Sequence, residues 1–171
     1  MTSMIRFIPV LIGSAVLAGC VQLPNAVSAD YAGPKAWLKD VAESYDRSSA
    51  RFFIAQEIDG VEIENALHLN RQASHGQGFH VSAVPFDRPV PARSMKVKLV
   101  GTQAAGAPIQ ELLARAAGQF VAVDGVVDFT PLADHSYRVN GMLLIGCPSV
   151  WIEDADTRQP VTAVIQPTPC P

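Results

Sequence analysis

Charge is scarce in this chain: Asp, Glu, Lys and Arg make up 17% of it against 49% hydrophobic residues, with a formal net charge of −3. Nucleic acid is therefore not an expected partner, and so apolar a composition does not describe a disordered chain. A long apolar run is missing too. The longest, Phe7 to Ala18, would reach roughly 18 Å as a helix, short of the roughly 30 Å hydrocarbon core of a bilayer. Pro9 and Gly13 weaken a spanning helix further. Legible catalytic patterns are also wanting. No Gly-x-Ser-x-Gly elbow occurs, and Asp134-His135-Ser136 are consecutive, so their side chains diverge and cannot relay one proton. Gly76-Gln77-Gly78 lacks the third glycine and following helix of a dinucleotide loop, and reads as a turn. His68, His75 and His80 cluster without a Cys or acid at a recurring metal spacing. Strand alternation next to Leu67, Leu69, Phe79 and Val81 puts His68 and His80 on polar faces. No catalytic residue, metal site or cofactor is expected.

What the chain does have is an address. Met1 to Arg6 carries one Arg and no acid, an apolar stretch follows, and small residues end it. That is the anatomy of an export signal. The residues Leu17-Ala18-Gly19-Cys20 resemble the lipobox of bacterial lipoproteins at every position. The resemblance implies cleavage after Gly19, lipid on the Cys20 sulfur and acylation of the new amine, which gives the protein a membrane partner. Val21, in place of Asp, implies by the same resemblance an outer-membrane location facing the periplasm. The division expected is a signal peptide over 1–19, a lipid-anchored tether over 20–33 rich in Ala, Ser, Pro and Asn, and one β-rich domain over 34–171. The domain is long enough for a real core. With Cys20 lipidated, Cys147 and Cys170 remain. An oxidising envelope favours their pairing, which would tie down the Pro-rich tail.

From Pro34 on, β signals dominate. Trp37, Leu38, Val41, Ala42 and Tyr45 recur at helical spacing, but a strand over Lys35 to Asp40 also fits and is preferred, followed by the polar turn Asp46 to Ser49. Asp59-Gly60 and Asp124-Gly125 each sit between apolar-containing runs and predict two hairpins. Phe79–Val84, Met95–Val100, Ser136–Leu144, Val150–Glu153 and Pro160–Ile165 read as further strands. One helix is marked over about 108–117, opened by Pro108 and closed by Gly118. Its apolar stripe of Ile109, Leu112, Leu113, Ala116 and Ala117 is expected to cover an end or edge of a sheet. The fold class expected is mainly β, an antiparallel β-sandwich with this one short amphipathic helix. The lines Val126 to Pro131, Tyr137 to Val139 and Val150 to Asp154 resemble the closing strands of small envelope lipoproteins with sandwich folds. That resemblance covers the C-terminal third and carries over no functional residue.

The candidate contact surface is basic. Arg71, Arg88, Arg93, Lys96 and Lys98 fall in one stretch against the single acid Asp87, with Lys96 and Lys98 on one strand face. Such a face could meet anionic headgroups or envelope glycans, or could be a solvated edge that resists strand pairing. The function expected is that of a lipid-anchored envelope protein without enzymatic activity, an interaction or assembly-accessory module whose partner would be another envelope protein. The alternative is a periplasmic lipoprotein that binds a small molecule or glycan.

Overall fold

A computed structural model of the chain describes residues 22–168 and Cys170. The export segment and Leu17-Ala18-Gly19-Cys20 lie outside the described residues. Among those described, no helix is long and apolar enough to cross a membrane.

The ambiguous N-terminal segment is strand β1, Lys35–Ser44, with alternate residues buried. Asp46 turns the chain by accepting hydrogen bonds from the backbone N–H groups of Ser48 (2.6 Å) and Ser49 (2.8 Å), an Asx-type turn. Strand β2, Ser49–Ile58, follows, then β3, Val61–Glu62. Asp59 and Gly60 between them have φ of 50° and 81°, the left-handed geometry that this hairpin demands. Helix α1, Ala66–Ser74, and strand β4, Phe86–Pro91, lead to the long strand β5, Met95–Ala105. Helix α2, Pro108–Ala116, precedes β6, Ala122–Phe129; β7, Ser136–Met142, and β8, Ser149–Asp154, complete the order.

The sheet runs β6-β5-β2-β1-β7-β8, with β3 on β2 and β4 on β1. It is mainly antiparallel but mixed, because β1 and β7 run parallel. Strand β1 is a fork. Its Lys35–Asp40 half pairs with β4, and its Val41–Ser44 half pairs with β2. One strand serving two partners in succession must twist, and the sheet curls with it until β7 and β8 pack across from β2 and β5. The result is a mixed sheet nearly closed into a barrel. Beyond β8, Ile165 bridges to Val150. Its side chain lies where a Cβ on Gly125 of β6 would stand, 2.9 Å from Ile165 Cδ1. Cys147 and Cys170 stand at disulfide distance, with Cα atoms 5.2 Å apart, so the tail is held against the loop before β8.

Leu38, Phe53, Val97, Leu99, Val139, Val150 and Ile152 fill the interior, all buried. Each such side chain stabilises the fold by about 1.5–3 kcal/mol relative to exposure. A second cluster lies on the opposite face of β2, where Phe52 and Ile54 meet Ala66 of α1, Val81 and Ala104. This two-sided burial explains the unbroken apolar run Phe52-Phe53-Ile54-Ala55.

Four sequence expectations are corrected. Residues 66–74 are helical, because Asn65 caps the turn by accepting the His68 N–H (3.0 Å); the Leu-His-Leu alternation hides this cap. Phe79–Val84 is not a strand: it is fastened to α1 through Asn70, whose Oδ1 accepts the Val84 N–H (2.8 Å). Asp124-Gly125 makes no hairpin but lies inside β6, opposite Val100 and Leu99; its glycine makes room for Ile165. Pro160–Ile165 carries two isolated bridges in place of a strand.

Candidate functional site

The five basic residues expected to form one contact face do not do so. Arg88 is buried at the fork in β1. Its Nη1 and Nη2 donate to Asp40 Oδ2 (2.8 Å) and Oδ1 (2.7 Å), and Nη2 also donates to the Ala55 carbonyl (3.2 Å). Asp40, fully buried, accepts in addition the N–H groups of Ala55 (3.0 Å) and Ala66 (2.9 Å). A bulge in β2 between Ala55 and Glu57 shifts its register against β5. The Ala55 N–H and C=O, left by β1 at the fork, find their partners in this ion pair. The Ala66 N–H is one of the donors that a helix start leaves unpaired, so Asp40 also seats α1.

Lys96 and Lys98 do share the outer face of β5 while Val97 and Leu99 point inward. Their charges, however, are matched. Lys96 meets its cross-strand neighbour Asp128 at 3.0 Å, Lys98 meets Glu57 at 2.8 Å, and Arg93 meets Asp59 at 2.7 Å. The Lys96 backbone N–H and Arg93 hold the Asp59 carboxyl below its ordinary range, and the bond to Glu57 raises the Lys98 ammonium. Arg71 stands apart, in the last turn of α1, and none of the ion pairs among the described residues includes it.

Arg71 borders a groove of about 580 Å³ between α1 and α2. Phe52, Leu67, Val81 and Ala104 make its floor; Arg71 and His75 form one lip and Glu111 the other. Glu111 also pairs with Arg115 one turn on at 2.7 Å, and Arg115 stacks over the Phe120 ring at 3.6 Å. A smaller hollow of about 200 Å³ lies on the far side of Glu111, beside Tyr45, Ala114 and Phe120.

Helix α2 is seated the unexpected way round. Its half-buried residues are Gln110, Glu111 and Ala114, while Ile109, Leu112 and Leu113 are 54%, 61% and 62% exposed. No residue of α2 is buried. The apolar stripe therefore covers no sheet edge and faces outward. Phe79, 62% exposed, extends the patch, its backbone packed directly against Gly106 just ahead of α2.

The other residues singled out in the sequence are dispersed. His68 contacts Gln72 (2.7 Å) and lies 3.8 Å from Glu64, while His75 and His80 are exposed. Among the described residues, no three of His, Cys, Asp and Glu are grouped to hold a metal. His135 reaches Asp154 (3.3 Å) instead of Asp134. Trp37 is 48% exposed. Trp151 donates from Nε1 to Glu153 (3.0 Å). Glu153 is buried and also accepts from Asn140 (3.0 Å) and Arg138. Burial opposes its ionisation, yet these bonds prevail and hold its carboxyl below the ordinary value. Compared with known protein families, curated proteins and solved structures, the chain matches none.

Proposed function

We propose that this chain is a lipid-anchored cell-envelope protein, held on the periplasmic face of the outer membrane by lipid on Cys20, that acts through its surface as a non-enzymatic interaction or assembly-accessory module. The observation that carries the surface role is the outward apolar stripe of α2. Ile109, Leu112, Leu113 and Phe79 form an exposed apolar patch rimmed by polar residues, which marks a contact surface. The match of Leu17 to Cys20 with the lipobox supports the anchor. The face-to-face packing of β7 and β8 on β2 and β5 supports reading the domain as a sandwich derivative joined through β1.

The groove favours a second reading, a periplasmic ligand-binding lipoprotein. Its size of about 580 Å³ falls among small-molecule sites, and its apolar floor with a few polar groups at the rim fits their usual make-up. One experiment separates the two. The native protein is cross-linked in intact membranes, extracted in mild detergent, and its companions identified by mass spectrometry, with Cys20→Ser as the control for anchoring. A reproducible companion, protein or lipid, attached through α2 supports the interaction module. Protein that emerges bare at α2 but carries a small molecule or glycan in the groove replaces it with the ligand-binding reading.

A further inference from the structure

The arrangement around α2 says what its apolar stripe meets. We propose that the α2 face lies in the headgroup boundary of an anionic phospholipid bilayer, so that the domain rests side-on against the membrane. This deepens the reading of α2 as a contact surface and rests on it.

Three observations point to lipid. First, size: four exposed side chains, Ile109, Leu112, Leu113 and Phe79, offer a few hundred Å² at most, less than the roughly 800 Å² per partner of a stable protein interface. A short helix with an outward apolar stripe suffices to enter a bilayer interface. Second, charge: Arg71 lines the groove beside α2, Arg115 lies on α2 itself, and the Arg47 backbone lies beside the segment that follows Phe79. Arg47 is placed there because its carbonyl accepts the Val81 N–H (3.0 Å). The acids nearby, Glu111 and Asp46, are engaged with Arg115 and with the Ser48 and Ser49 N–H groups. Three guanidiniums against two carboxylates leave this end positive in a chain of net charge −3, which complements anionic headgroups. Third, position: the Pro24 carbonyl accepts the Glu64 N–H (2.9 Å) immediately before α1. Pro24, four residues after Cys20 in sequence, is thus fixed beside the start of α1. From that point α1, of nine residues and so about 13 Å long, runs to the groove that α2 borders. One membrane surface can touch both.

The test places the photoreactive residue p-benzoylphenylalanine at Leu112 in the full chain and, as a control, at Val61 on the distant Asp59-Gly60 hairpin. Both positions are exposed, so both proteins fold. After irradiation of intact cells, adducts are identified by mass. Phospholipid adducts at Leu112 about fivefold above those at Val61 are expected for an interfacial helix. Reconstituted into phosphatidylcholine vesicles instead of phosphatidylglycerol vesicles, the purified protein should lose most of that yield. A self-adduct or a foreign protein at Leu112 overturns the lipid assignment while leaving α2 a contact surface. Absence of any adduct at Leu112 overturns both. The mass of the N-terminal peptide, read in the same samples, reports acylation of Cys20 separately.

Discussion

Two regions of this molecule invert the usual distribution of polarity, and they do so for opposite reasons. At the fork in β1 a full ion pair, Arg88 and Asp40, is buried. On α2 three large aliphatic side chains are exposed. The buried pair answers a need internal to the fold. Strand β1 changes partners at Asp40, and the backbone groups of Ala55 and Ala66 would otherwise be orphaned. The exposed stripe answers no internal need, since α2 would sit on β5 equally well through Gln110, Glu111 and Ala114. Charge inside is explained by the chain itself; apolar surface outside calls for something beyond it.

That comparison can be broken at either end. The largest effect should come from the fork. Asp40→Ala or Arg88→Met leaves a buried charge unpaired and should lower unfolding free energy by about 3–5 kcal/mol. Asp40→Ala should be the worse, because it also strands two N–H donors; urea titration of both variants measures the order. If either proves neutral, the pair is not what joins β1, β2, β4 and α1.

Next comes the clasp. Cys147→Ser, which opens a loop of 23 residues, should cost about 3 kcal/mol in the chain-entropy model and free the tail from β8, visible as faster amide exchange at Ile165. Glu153 provides a smaller test, a buried carboxylate held by the side chains of Arg138, Asn140 and Trp151. Glu153→Gln should cost about 1.5–3 kcal/mol, the range for hydrogen bonds to a charged group. Because the folded carboxyl sits below its ordinary value of 4.5, its contribution is complete above that pH and fades as pH falls through the lower, folded value. Asp46, Asp59 and Asp154 shift in the same direction, so melting temperature should fall on acidification, less steeply in Glu153→Gln than in the native chain.

The smallest effect should be on α2. Leu112→Asp is expected to change stability by no more than about 0.5 kcal/mol, as for an ordinary surface position. The same thermal melt measures it. A large loss would mean that the stripe packs on the domain, and the contrast with the fork would vanish.

Local chemistry made much of this readable. Asp59-Gly60 turns where its sequence says it should, and the alternation of Lys96, Val97, Lys98 and Leu99 across β5 holds residue by residue. Pro108 opens α2 as expected. The failures share one cause: the deciding partner is distant in sequence. Asp124-Gly125 carries the same two residues as the true hairpin, but pairing with β5 on one side and Ile165 on the other keeps it extended. Arg88 looked like surface charge because its partner is 48 positions away. The helix at Ala66 is the exception, signalled by Asn65, a short-range cue masked by apolar alternation.

The sequence by itself determined most of the strands, the Asp59-Gly60 turn, the period of α2 and the two cysteines available for pairing, because these follow from backbone geometry and neighbours a few residues apart. Only the tertiary structure decided that β1 serves two partners, that β7 joins it in parallel, that Arg88 turns inward and that the apolar stripe of α2 turns outward. Periodicity fixes which side chains share a face, but not which way the face points. That depends on which surfaces compete to be buried against it, and for α2 the competition was won by Glu111 and Ala114.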